Sequence, residues 1–335
     1  MHTLIKRLIG RRMTGWLRRM VHSPIRMARP YFDYDMRRFV KYSGVFSRET
    51  REQLRAYVIM QYHIIEKGLT MPDRRLGFGK DVMRRLMSHI DEFEKRFGFD
   101  DQVRHAAGVV KAYWDIHLDA GTIDRSDSFW QAIEMFLRSH PNIKAATQLH
   151  FTRKEFYKEK DSEFPRFAFA RHTSRHYSEK PLDVKLLRKA VGIAMTTPTA
   201  CNRQHCRVYC VSDKEKMKQI LDIQGGSRGF GHFADKLLIV TANLEDLHVI
   251  RERDDLFVNG GMFLMNLCYS LFYYEIAHCI LNWSRTPEED MRFRSIAGIK
   301  ESETVVAVLT CGVPPNKFDI CASPRKPESE YFIEL

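Results

Sequence analysis

The chain has 335 residues, is 44% hydrophobic and 29% charged, and carries a formal charge of +12. Those totals fit a soluble globular protein of two units, or one unit with a large extension, and a pass along the chain finds no internal repeat and no low-complexity tract. The positive balance favours anionic partners (nucleic acid, phosphorylated ligands or an anionic membrane face) and says nothing about fold.

Residues 1–30 carry eight Lys or Arg and no acid, while Leu4, Leu8, Trp16, Leu17 and Met20 recur at helical spacing. A basic amphipathic helix is predicted, able to lie on an anionic membrane or to pack its apolar face on the protein's own body. No uninterrupted apolar run with a small-residue cleavage site follows, so no secretory signal is expected. Helices are predicted next over 47–66, 80–97, 101–118 and 127–139. Ser47 is placed as the N-cap of the first and Gly68 as its left-handed stop. His63 and Glu66 stand three apart on one face of that helix, a spacing open to a metal or acid/base role and equally to a structural hydrogen bond. No strand pattern precedes about residue 200, so residues 31–160 are expected to form an all-helical N-terminal region. The charged stretch TRKEFYKEKDSEFPR, 152–166, reads as the join to a second unit over 161–335.

The texture then changes. Residues 184–195 form an amphipathic helical pattern. CRVYCV (206–211), KLLIVTA (236–242) and TVVAVLTC (304–311) read as strands. Residues 256–277 and 287–298 read as helices, the latter with Pro287 in its first turn. The uncharged run from Leu256 to Tyr274 is long enough to imitate a membrane span. Asn259, Asn266 and Ser270 within it favour a buried helix at the centre of a domain or dimer instead. The expected fold class is therefore α+β, a sheet flanked by helices and preceded by the helical region. All seven cysteines follow residue 200. Their odd number argues against a disulfide framework and for a reducing, cytoplasmic setting. Cys206 and Cys210 would share one strand face with only His205 nearby, so no metal site is expected. The sequence offers no nucleic-acid-binding motif, and no such partner is expected.

Five segments occur in a telling order. RHTSRHY (Arg171–Tyr177) is followed by PTACNRQ (Pro198–Gln204) leading into a strand. The 256–277 run continues to Ile280-Leu281-Asn282-Trp283. VVAVLTCGVP follows, and then SPRKP, which contains Arg325. This ordered set resembles the FMN-dependent nitroreductase family, over about residues 165–335. The resemblance implies a nitroreductase-like mixed sheet and an FMN site. Arg171 and Thr173 would hold the phosphate with His172 alongside, and Arg325 would reach it from the end of the chain. Planar guanidinium forks and hydroxyls suit a phosphate dianion. Arg175 would place a cation near the ring system, and Tyr177 would pack. Pro198, Thr199, Cys201 and Asn202 would contact flavin held mainly by the partner of a homodimer, with Gln204 supporting their loop. Leu281, Asn282 and Trp283 would flank the reactive edge of the ring.

Three departures from the family pattern bear on the substrate. His205-Cys206 stands where Pro-Trp is usual, Cys201 replaces a hydroxyl, and Trp283 replaces a glycine. Trp283 is open to two roles, stacking on a flat substrate or filling core.

The implied activity is that of an oxidoreductase using NADH or NADPH to reduce an electron-poor small-molecule acceptor, a nitro compound or quinone, by ping-pong hydride transfer. It needs no catalytic side chain. Two alternatives stay open. One is a flavin-dependent oxidase or dehydrogenase of a biosynthetic intermediate. The other is a non-catalytic scaffold of the same fold, docking a partner or the inner face of the membrane.

Overall fold

In the computed structural model, which describes residues 23–335, five helices come first: α1 (Pro24–Tyr42), α2 (Arg51–Leu69), α3 (Lys80–Phe97), α4 (Asp101–Asp119) and α5 (Ser128–Ser139). The part of the predicted basic segment before Ser23 lies outside these residues; the remainder forms the start of α1. Helices α2 to α5 enclose a core of their own, centred on Leu54, Ile65, Leu86, Phe93, Tyr113 and Phe129. Helix α1 buries none of its residues. It is tied to the rest of the chain by Asp35, which accepts from Arg253 Nη2 at 2.9 Å.

The first of the packed helices begins later than predicted. Thr50, not Ser47, is the N-cap of α2, in a capping box with Gln53. Gly68 is not a stop either. It lies inside α2, where an added Cβ would stand 2.0 Å from Phe78 Cε2, so it is there for close approach rather than for positive φ.

Beyond α5 the chain runs through β1 (Leu149–Thr152), α6 (Arg153–Phe156), α7 (Phe164–Ala170), α8 (Val184–Ala194), β2 (Cys206–Val211), α9 (Lys214–Gln224), β3 (Lys236–Asn243), α10 (Asp255–Tyr273), β4 (Ala277–Asn282), α11 (Pro287–Ala297), β5 (Glu303–Gly312) and β6 (Lys317–Ile320). The expectation of no strand before residue 200 is corrected by β1. This strand pairs antiparallel with β6, Leu149 opposite Ile320 and Thr152 opposite Lys317. Four residues give too short an alternation to stand out, and its pairing partner lies at the far end of the chain.

The main sheet has the order β2-β3-β5-β4, every described pairing antiparallel. Its central strand β3 is buried along nearly its whole length, because apolar layers cover both faces. The predicted strands at 206–211, 236–242 and 304–311 are all present, and the fold is α+β with a helical N-terminal region. Helix α10, uncharged beyond Asp255 at its start, lies on the sheet: a Cβ on Gly260 would meet Val306 Cγ2 at 2.7 Å.

Candidate functional site

Helix α7 ends at Ala170, and the next seven residues, Arg171–Tyr177, run without regular structure between the two units. Two buried anchors fix this loop. Ser174 N donates to His278 O of β4 at 3.1 Å. Tyr177 OH stands 2.7 Å from Thr310 Oγ1 on β5, and its ring lies where a Cβ on Gly312 would be. Tyr177 is a packing residue, as expected. With Ser174 and Tyr177 turned inward, Arg171, His172, Thr173 and Arg175 all line one cavity of about 850 Å³.

Three walls meet around it. The loop forms one, with Met265 and Tyr269 of α10 beside it. Tyr62 and His63 of α2, with Gln102 of α4, form the second. The third is the C-terminal tail after β6, which brings Cys321, Arg325, Lys326 and Tyr331. The tail residues Arg325 and Lys326 thus face the loop residues Arg171 and Arg175 across one space.

The site is cationic and incompletely satisfied. Arg171 Nε and Arg175 Nε are buried without a hydrogen-bond partner among the described residues. Buried guanidinium nitrogens without acceptors are uncommon, and a bound anion would supply what they lack. Arg175 Nη1 makes a 3.5 Å contact with Cys321 Sγ, and Arg325 Nη1 donates only to Ser323 O at 3.2 Å. Burial, and then the charges of Arg171 and Arg325, hold the His172 imidazole below the ordinary histidine value, while its Nδ1 donates to Ala170 O at 2.9 Å. Lys67 behind the cavity is likewise lowered by burial and then by Arg175. The guanidinium groups of Arg171, Arg175 and Arg325 stay charged.

The other predicted residues lie elsewhere. The 198–202 turn is held by Asn259 Oδ1, which accepts from Ala200 N at 3.1 Å. Arg203 fixes it further, giving two bonds to Glu252 at 2.8 and 3.0 Å. Cys201, Asn202 and Gln204 all have positive φ, between 51° and 55°, a strained conformation for L residues. Gln204 braces the loop, its Nε2 lying 3.3 Å from Asn202 O, as expected. Cys201 and Asn202 are exposed and Thr199 half-buried, and none of Pro198–Asn202 lines the cavity. Leu281 is buried in β4, and Asn282 closes that strand. Trp283 packs on Phe293 at 4.2 Å and donates through Nε1 to Asp290 Oδ1 at 2.8 Å. The contacts that Trp283 makes within this chain are packing contacts, and its ring is half-buried.

Sequence reasoning missed Tyr62 and Gln102, since nothing local marks residues of one unit as lining a site in another, and Cys321, which lies far along the chain from the loop. The predicted His63/Glu66 pair is present at 3.4 Å, Nδ1 to Oε2. Glu66 is fully buried and also takes His105 Nε2 on Oε1 at 2.7 Å.

Residues 168–227, which include the loop and the 198–202 turn, match the nitroreductase family model. No curated protein sequence matches the chain. Among solved structures it is similar to a nitroreductase family protein of Streptococcus pneumoniae, with 19% identity, TM-score 0.45, 52% of this chain and 100% of that one covered. It is also similar to a protein of Desulfovibrio desulfuricans described as a nitroreductase in complex with FMN, with 16% identity, TM-score 0.44, and 52% and 98% covered. A third is the NADPH:FMN oxidoreductase of Vibrio harveyi complexed with NAD+, with 13% identity, TM-score 0.44, and 50% and 75% covered.

Proposed function

We propose that this protein is an FMN-dependent oxidoreductase that uses NADH or NADPH to reduce an electron-poor small-molecule acceptor, a nitro compound, quinone or related group. The observation that carries the reading is the convergence of Arg171, Thr173, Arg175 and Arg325 on one cavity, with two buried guanidinium nitrogens unpartnered. The donor set fits FMN. Arg171 and Arg325 offer forks, and Thr173 a hydroxyl, to a phosphate dianion. Arg175, deeper and beside Phe230 at 5.8 Å, offers a cation to a ring that becomes anionic on reduction.

Bound FMN would accept two electrons as hydride from the nicotinamide and pass them to the acceptor. The chain's own residues orient and enclose. The walls from α2, α4 and the tail shield the cavity and restrict what fits beside the cofactor. Thr199 and Asn202, remote from the cavity of their own chain, are read as contacts supplied across a homodimer. The outward face of α10, with Phe257, Val258 and Met262 exposed, supports that assembly. The seven unpaired cysteines support a cytoplasmic setting. The basic residues 1–30 support peripheral contact with an anionic membrane face.

The test is an absorption spectrum of the purified protein, with the released cofactor identified, followed by anaerobic addition of NADH and of NADPH. The expected result is FMN at about one per subunit, bleached by a nicotinamide. Absence of flavin after soaking in excess FMN sinks the reading.

A further inference from the structure

Glu66 is fully buried, yet it is a carboxylate with a histidine on each oxygen. Those histidines belong to different cavities. His63 lines the 850 Å³ cavity with Arg171 and Arg175. His105 lines a second cavity of about 550 Å³ on the other side of α4, bounded by Asn142–Ala146. Gln102 and Arg325 border both. The line His63 Nδ1 to Glu66 Oε2 at 3.4 Å, then Glu66 Oε1 to His105 Nε2 at 2.7 Å, crosses the wall between them.

The arrangement is built rather than incidental. Tyr62 packs edge-on against the His105 ring at 5.0 Å and gives its hydroxyl proton to Gln102 Oε1 at 2.7 Å. That holds the imidazole with one nitrogen on Glu66 and leaves the other for the second cavity. Burial works against the Glu66 charge, but the hydrogen bonds and charge of His105 and then His63 more than compensate, leaving its carboxyl below the ordinary value. Tyr62 on the same helix and Cys321 from the tail also stand within reach of its charge.

We infer that His105, Glu66 and His63 form a proton relay that carries protons from the second cavity into the cationic one. The inference rests on the redox reading and adds to it the path of a co-reactant. For a quinone acceptor the nicotinamide gives up hydride, which is two electrons and one proton. The second proton of the hydroquinone comes from water: NAD(P)H + H⁺ + quinone → NAD(P)⁺ + hydroquinone. In the relay, His105 gives its Nε2 proton to Glu66 Oε1 and takes one from solvent at Nδ1. Rotation of the protonated carboxyl carries that proton to His63 Nδ1, and His63 releases its Nε2 proton into the cavity. Glu66 is again a carboxylate and net charge is unchanged; each imidazole is left protonated on Nδ1 and returns to its Nε2–H form by a ring flip before the next passage. The helical unit would thus supply a proton path as well as a wall.

The test uses the full chain and the variants Glu66→Gln and His105→Ala. Gln keeps the shape and the hydrogen bonds but relays no proton. In apo protein at fixed pH, the NMR signals of both imidazole rings should move in Glu66→Gln, since both rings bond to the same carboxyl. In FMN-loaded protein, Glu66→Gln should retain FMN affinity and lower quinone turnover by about a hundredfold. His105→Ala should be rescued by added imidazole, which packing alone does not explain. Imidazole signals that stay in place, or wild-type turnover and solvent isotope effect in Glu66→Gln, overturn the relay. Failure of the wild type to bind FMN overturns the redox reading, and with it the consumer of the protons, whatever the NMR shows.

Discussion

Arg55 on α2 holds both carboxylate oxygens of Glu330, Nη1 to Oε1 at 2.7 Å and Nη2 to Oε2 at 2.6 Å. The two residues are 275 positions apart. Arg55 is almost fully buried, and Glu52 and Asp100 complete its surroundings. A bidentate pair of this kind fixes orientation as well as distance. It clamps the C-terminal tail to the helical unit between the cavity residues Lys326 and Tyr331. The position of Arg325 thus depends on a contact made in the other unit.

Glu330→Ala should therefore loosen the tail without dismantling either core. Trypsin should cut after Arg325 about tenfold faster than in the wild type, as expected when an anchoring contact is lost and the open population rises. Mass spectrometry of a timed digest reads the result. An unchanged cleavage rate would mean that the tail is held by something other than Arg55.

Arg171, like Arg175, is a cavity guanidinium whose buried Nε has no partner among the described residues. Arg171→Ala should weaken FMN binding by about 10- to 100-fold, the worth of a charged hydrogen bond, and leave riboflavin binding unchanged, since riboflavin has no phosphate. Arg171→Lys should recover only part of the loss, because an ammonium is a point charge rather than a fork. Quenching of flavin fluorescence measures all four combinations. Equal losses for FMN and riboflavin would assign Arg171 to the ring or to folding.

How much of this the sequence displayed depends on how local the cause is. Helix α3 and strand β2 fall where their patterns place them, because amphipathic period and alternation are local. The cationic loop 171–175 was legible for the same reason: its residues are adjacent and their chemistry is explicit. The α2 start was misplaced because Ser47 and Thr50 both suit an N-cap, and only Thr50 has Gln53 three residues on. The stop assigned to Gly68 failed because glycine serves positive φ and close approach alike, and only Phe78 in space decides. The walls of the cavity were illegible: Tyr62, Gln102 and Cys321 come from three distant segments.

Gly68 gives a test of that distinction. A Gly→Ala change inside a helix normally stabilises by about 1 kcal/mol. Here the new Cβ would overlap the Phe78 ring, which is itself packed on Tyr113 at 5.2 Å. Gly68→Ala should instead destabilise by about 1–3 kcal/mol through overpacking. The double variant with Phe78→Leu should recover part of the loss. Urea denaturation of the three variants gives the coupling; additive effects would contradict the contact.

The exposed apolar residues of α10 carry the dimer expectation. Phe257→Asp combined with Met262→Asp should give a monomer by light scattering, since two charges on a desolvated interface cost far more than the contacts there return. FMN affinity should fall with it, because Thr199 and Asn202 would no longer reach the partner's cavity. A wild type that is already monomeric, with FMN bound at full affinity, would remove both the dimer and the role of the 198–202 turn.

His278 supplies a pH dependence with a definite sign. It is buried beneath the loop, and its Nδ1 donates to Ile276 O at 2.9 Å. Burial, followed by the Arg171 charge, depresses its pKa from 6.5 to about 4. Between those values the unfolded chain binds a proton that the folded one does not, so stability is full above pH 6.5 and declines as pH falls toward 4. His172 and His176 are lowered as well and act in the same direction. From pH 7 to pH 5 the share of His278 amounts to about 2 kcal/mol. His278→Asn can keep a donor to Ile276 and cannot titrate. It should therefore lose about 2 kcal/mol less stability than the wild type over that interval, measured by urea unfolding at the two pH values. If both proteins lose the same amount, His278 is not the neutral buried group described, and the acid sensitivity belongs to the histidines of the loop.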